Sequence, residues 1–365
     1  MCNDSYWSAS VRYDQFAVDS YKYLSYHLDQ LRTEYRCPQQ FFEHVAAVTR
    51  NNKDPLIFIY ITIFAVGWTV LRSAFSGYLV KPIAEKCKLP LSEKEKLPES
   101  AWKFCFYFAS WLLAAYILIV KERGESLLRP ESVWSDWQFT AALPIEYHVL
   151  YVVQLSFYLH SIYATVVTDC WRKDSIVQLL HHLITMALIF FGFSIRGHKA
   201  GTVVLFLHDI CDVLLEGTKT AHYFRMQGER KYRIFELIAN VGFLLFAFVW
   251  FCSRLYAFPL RMIWYCLSER NMQVPLLCML VIMLDLLLAM NLYWFTFILK
   301  LLWKVATGND ELKDVREYEE KTEDDKSSNS STTIKSHQIE NNQVESIKAR
   351  HNNLRKRSQI GIRSD

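Results

Sequence analysis

The sequence predicts an all-α membrane protein, a polytopic bundle of about seven helices. Apolar residues make up 52% of the 365-residue chain and aromatic residues 15%, while Gly and Pro number only 11 and 9. The apolar residues gather in blocks that meet the ~20 helical residues needed to cross a hydrocarbon core of ~30 Å. Ionisable residues also recur at helical spacing inside those blocks. A lipid-facing surface does not tolerate them, whereas a bundle interior does.

Taken in order, the spans are 56–80, 102–120, 143–168, 175–195, 200–222, 234–256 and 274–304. The second is short and the last long, which predicts tilt or an extension beyond the bilayer. The third and fifth are weaker because each carries a polar stripe. The sixth is expected to end near Arg254, with 257–267 lying at the interface. Residues 1–55 are polar and aromatic and show no short apolar stretch of the signal-peptide kind, so the first span is expected to act as an uncleaved anchor. Residues 305–365 lose the aromatics, gain Glu, Asp, Ser and Asn, and end in Arg350, Arg355, Lys356 and Arg357. That composition cannot bury enough apolar surface to fold alone and predicts a disordered tail. Within it, Thr322 stands three residues before Asp325, a pattern that either suits an acid-directed kinase or is merely solvated.

Loop charges predict the orientation. Lys81, Lys86, Lys88, Lys94, Lys96 and Lys103 follow the first span, Arg172 and Lys173 the third, and Arg225, Arg230, Lys231 and Arg233 the fifth. The alternate loops are leaner, although Lys121, Arg123, Arg129, Arg196 and Lys199 blunt the contrast. The basic side is expected to be cytosolic, with the N-terminus lumenal and the C-terminus cytosolic. Asn3-Asp4-Ser5 is a glycosylation sequon on the lumenal side, making Asn3 the candidate acceptor, and Asn329-Ser330-Ser331 forms another on the cytosolic side. The nine cysteines stand singly, mostly in or near apolar blocks, and read as small hydrophobes.

The chemistry gathers on the fourth and fifth spans. His181 and His182 lie ~10 Å below the start of the fourth. Neighbours on a helix point ~100° apart, so the two imidazoles have different jobs. On the antiparallel fifth span His208, Asp209, Asp212, Glu216 and Lys219 are spaced by three and four, on one broad face. Asp212 is ~16 Å deep and His208 ~22 Å. The third span adds His148, Tyr151, Gln154, Tyr158, Ser161 and Thr165, which either line the same cavity or simply hydrogen-bond between helices. Asp285, in the last span, is expected to be structural or to have a partner in the sixth.

Imidazole serves as general base or nucleophile near neutrality, and a buried carboxylate can fix its tautomer. No Ser or Cys nucleophile stands beside the pair. Aminolysis of a thioester fits, because the amine must lose a proton and the thiolate leaves with little help. A metal site does not fit, since position 178 is Gln and no HxxxH surrounds the pair.

Arg172-Lys173-Asp174, His181-His182, Gly201, His208-Asp209, Asp212, Leu215-Glu216 and Lys219 together resemble the longevity-assurance motif of ceramide synthases. Looser similarity covers most of 56–304, including Ser156-Phe157-Tyr158, Pro259-Leu260, Asn291 and Trp294. The resemblance implies a TLC-type bundle over 56–304 in the endoplasmic reticulum. It implies acyl transfer from acyl-CoA to the amine of a sphingoid base, with acyl-CoA as co-substrate, no other cofactor, and a homo- or hetero-dimer left open. By position, His181, His182, His208, Asp209 and Asp212 would be the catalytic set, with one histidine of the pair a candidate for acylation itself. Arg172, Lys173 and Lys219 would meet the CoA phosphates, and Tyr158 and His148 would line the substrate. The positive-inside bias accounts for the same three cations without a ligand.

The chain departs from the family pattern in three ways. It lacks the homeobox-like insert found between the first two spans of many animal members. Ser194-Ile195-Arg196-Gly197-His198-Lys199 lacks the asparagines usual between the catalytic spans, and Leu288 stands where Gln is common. Family chain-length preference is associated with the loop at about Cys266–Val274. Two other classes fit the span pattern: a non-enzymatic TLC-type lipid sensor, whose relatives often lack the full histidine and aspartate set, and a seven-helix receptor or transporter, whose signatures and broken helices are missing here.

Overall fold

The computed structural model describes residues 12–34, 38–50, 56–135, 137–268 and 276–307. Asn3, Asn329, Thr322, the basic run of the tail and most of the Cys266–Val274 loop lie outside the described residues. Among these described residues nine long helices dominate: α1 Tyr13–Glu34, α2 Pro38–Arg50, α3 Ile57–Lys86, α4 Leu91–Lys121, α5 Ile145–Val167, α6 Ser175–Ser194, α7 His198–Tyr223, α8 Arg233–Cys266 and α9 Leu277–Ala306. A two-residue β-hairpin, β1 Met226–Gln227 with β2 Arg230–Lys231, joins α7 to α8.

Six helices, α3, α4, α5, α6, α8 and α9, are long and apolar enough to cross a membrane. The fifth predicted span, α7, is 26 residues long but carries His208, Asp209, Asp212, Glu216 and Lys219, so hydropathy alone does not single it out. The other helices enclose it. It packs most extensively on α4 and α8, while α6 packs on α5 and α9, and α8 meets α9. With α5 also touching α4, the six helices α4, α7, α8, α9, α6 and α5 form a closed ring, and α3 leans on α5 from outside. The polar faces turn into this ring, which is how a bundle accommodates charge at bilayer depth.

Two predicted boundaries are corrected. The second span is not short: α4 begins at Leu91, so Lys94, Lys96, Glu99 and Lys103 ride on the helix rather than in a loop. Lys94 pairs with Glu85 (3.1 Å) and Lys103 with Glu99 (2.6 Å), and the helix continues through them. The sixth span does not stop near Arg254. It continues to Cys266 through a π-helical stretch, Phe251–Ile263, whose wider winding accommodates the missing N–H of Pro259. Arg254 is buried inside the ring instead of marking its rim. Gly201 shows why α7 needs glycine: a Cβ there would overlap the Tyr151 hydroxyl, which donates to the His198 carbonyl at 3.1 Å.

The end of the ring beside Arg196 is covered. Arg196 Nε donates to the Ala141 carbonyl (2.9 Å), and Trp137 Nε1 to that of Ile195 (2.8 Å). Val48 of α2 is buried in the same apolar cluster as Leu118, Trp134 and Ile195, and Tyr13 of α1 donates to the Leu255 carbonyl.

Candidate active site: a histidine pair facing a bonded acidic network

α6 brings His181 and His182 together beside Tyr158, their own ring centroids 5.9 Å apart. The Tyr158 ring lies 5.5 Å from His182 and 6.5 Å from His181, centroid to centroid. The ~100° between successive residues sends the two imidazoles to different neighbours. His182 is buried against α5, whereas His181 is half-buried and meets Trp294 of α9 edge-on at 5.3 Å. Trp294 Nε1 in turn donates to Asp174 Oδ2 (2.9 Å) at the N-terminus of α6, tying the third residue of the Arg172-Lys173-Asp174 triplet to α9. Among the described residues, Nδ1 of both histidines is buried without a hydrogen bond. Buried polar atoms are nearly always paired, so these two nitrogens are available to a water or a ligand.

α7 presents the opposite condition. Asp209 is fully buried, and its Oδ2 accepts from Ser110 Oγ (2.9 Å) and Gln154 Nε2 (2.8 Å), linking α4, α5 and α7. Its Oδ1 is unbonded. Asp212 Oδ2 accepts from Arg254 Nη2 at 2.9 Å, and the same nitrogen donates to the His208 carbonyl at 2.9 Å. The guanidinium stacks over Trp250, 4.1 Å from the ring centroid. His208 Nδ1 lies 2.8 Å from the Val204 carbonyl, and its Nε2 is 3.2 Å from Asn291 Nδ2.

The pair and the acidic stripe are therefore brought to one interior, but not by direct packing of neighbouring helices. α6 and α7 touch only slightly, and Tyr158, Trp294, Asn291 and Arg254 lie among them. Arg254 and His208 are within electrostatic reach of His181, and Asp209 and Asp212 within reach of Tyr158. His148 is not brought into this group. It stands ten residues before Tyr158 on α5, ~15 Å along the axis, with its ring against Phe193. Asp285 is half-buried, and among the described residues no bond joins it to α8.

The cations expected to meet phosphates are embedded in ion pairs at the other end of the ring. Arg172 pairs with Glu99 (3.1 Å), and Glu99 with Lys103 (2.6 Å). Lys103 pairs with Asp169 (3.1 Å), which also pairs with Arg72. Lys219 pairs with Glu216 (3.1 Å) within electrostatic reach of the same cluster. In the pairs just named, four cations face three carboxylates. Lys173 is exposed beside them.

Sequence reasoning missed Arg254, Ser110 and the role of Asn291. Arg254 left a usable signal, since an arginine in an apolar block calls for an intramembrane acid, and Asp212 was in view. Ser110 left none, being one small residue in an apolar run.

Comparison with known proteins gives the family. The TLC domain matches residues 96–300, which contain the histidine pair, the polar face of α7, Arg254 and Asn291. Ceramide synthase 1 of Homo sapiens is 44% identical over 265 residues, covering 72% of this chain and 75% of that protein. The chain belongs to the ceramide synthase family. Ceramide synthase 1 of Mus musculus is likewise 44% identical, over 262 residues, 70% of this chain and 74% of its own. Ceramide synthase LOH1 of Arabidopsis thaliana is 30% identical over 236 residues, 60% of this chain and 72% of that one. The six apolar helices make this family member a multi-pass membrane protein.

Proposed function

We propose that the ring interior is where this ceramide synthase joins a fatty acyl group from acyl-CoA to the amine of a sphingoid base. The observation that carries the site assignment is the unbonded histidine pair beside Tyr158. In this reading an imidazole of the pair, His181 being the more accessible, takes a proton from the attacking amine. The C–N bond forms, the C–S bond breaks, and the proton is returned to the departing CoA thiolate. Asp209 Oδ1 is a spare acceptor for the amine or a hydroxyl of the base, and Asp212 and His208 complete the polar wall. Arg172, Lys173 and Lys219 supply the positive end at which CoA phosphates dock, and Tyr158 lines the reacting centre beside the histidine pair. His148 contributes at the far end of the same interior, along the acyl or sphingoid chain.

The relatives carry ceramide synthase names at up to 44% identity, which supports an enzyme and not a lipid sensor. His181→Ala and His182→Ala, expressed in cells lacking their own activity, test the reading. Acyl transfer by both variants at the parental rate and protein level sinks it. We also propose residence in the endoplasmic reticulum with a lumenal N-terminus and a cytosolic C-terminus, supported by family membership and by the loop lysines and arginines. A glycosidase-sensitive mass shift that disappears in Asn3→Gln is the expected result.

A further inference from the structure

The hydrogen bonds around Arg254 define the protonation of His208. A guanidinium has only donors, so the Asn291 atom that Arg254 Nη1 meets at 3.3 Å is the carbonyl oxygen Oδ1. That fixes the amide: Nδ2, which can only donate, is the atom 3.2 Å from His208 Nε2. Nε2 is therefore the acceptor and carries no proton. The remaining ring proton is on Nδ1, 2.8 Å from the Val204 carbonyl, which can only accept. Every partner agrees on one neutral tautomer, and both nitrogens are engaged. The imidazole also meets Phe258 in a T-shaped contact, centroids 4.7 Å apart. Arg254 and Asn291 are themselves buried.

We propose that Arg254 and Asn291 are positioning residues of the acyl transfer. Through them His208 is locked as the neutral Nδ1–H imidazole and Asp212 is clamped on the guanidinium, so that His208 shapes the site while the pair on α6 handles the proton. This rests on the ceramide synthase reading of the same interior. It assigns His208 a positioning role rather than that of an acid or base.

Asn291→Asp is the discriminating variant. It keeps the side-chain shape and the acceptor for Arg254 but removes the donor to Nε2. With the full chain in membranes, varying acyl-CoA and sphinganine, kcat is expected to fall at least about tenfold while both KM values stay within about threefold, because small misplacements of a site act mainly on turnover. Arg254→Lys, which keeps the charge but loses the fork, is expected to fall in the same direction, and the double variant to be no worse than the poorer single. His208→Gln, whose Oε1 can accept from Asn291, is expected to retain more turnover than His208→Ala and far more than the histidine-pair variants. This arm stands even if Asn291→Asp does not fold. Asn291→Asp at parental kcat, or His208→Gln as inactive as His208→Ala, overturns the proposal. The underlying reading fails separately, on the His181 and His182 variants.

Discussion

The two sides of the ring interior are made of the same residue types in opposite states. On α7, His208, Asp209 and Asp212 are each held by at least one hydrogen bond from another helix or from their own backbone. On α6, His181 and His182 meet aromatic faces and leave Nδ1 unbonded. A buried network whose members bond one another is rigid and specifies geometry, whereas an unbonded polar group in the same low-dielectric surroundings is held in place at a cost. That division suggests a scaffold on one side and the reacting groups on the other.

Removing the unbonded side is expected to have the largest effect. His181→Ala or His182→Ala should lower acyl transfer by about 10²–10⁴-fold, the usual worth of a positioned base, with little change in thermal unfolding of the detergent-solubilised protein. If melting temperature collapses along with activity, the pair belongs to the scaffold and the contrast is lost. Glu99→Gln probes the bonded class at the far end of the ring. It removes the carboxylate that Arg172 and Lys103 share, so a loss of about 3 kcal/mol is expected, read as a lower unfolding temperature. Activity per folded molecule should fall less than in the histidine variants.

Gly201→Ala sharpens the comparison at the α5–α7 approach. The new Cβ meets the Tyr151 hydroxyl, and overpacking of this kind costs about 1–3 kcal/mol. Adding Tyr151→Phe removes the offending oxygen and should recover part of that loss, measurable in the same unfolding assay. The smallest effect on turnover among the site variants is expected from Trp294→Phe. It deletes the bond to Asp174, worth about 1.5–3 kcal/mol for a charged acceptor, yet keeps an aromatic face for His181. Turnover should therefore drop by no more than about tenfold, less than for either histidine variant.

Much of this was legible from the chain alone, because it depends on local order. Apolar blocks of bilayer length, steps of three and four along α7 and the adjacent His181 and His182 follow from helical pitch and from the cost of charge in hydrocarbon. They determined an all-helical membrane bundle and the residues to examine. The tertiary structure decided how those residues are used. Arg254 finds Asp212 across 42 positions of sequence and Asn291 finds His208 across 83, so neither pairing has a local signature. Ring closure put α4 and α8, not α6, against α7, and that choice of neighbours left one set of imidazoles bonded and the other open. Hydropathy reports whether a helix can sit in lipid. Which helices become its neighbours, and hence which polar atoms are satisfied, is set by packing among all of them at once.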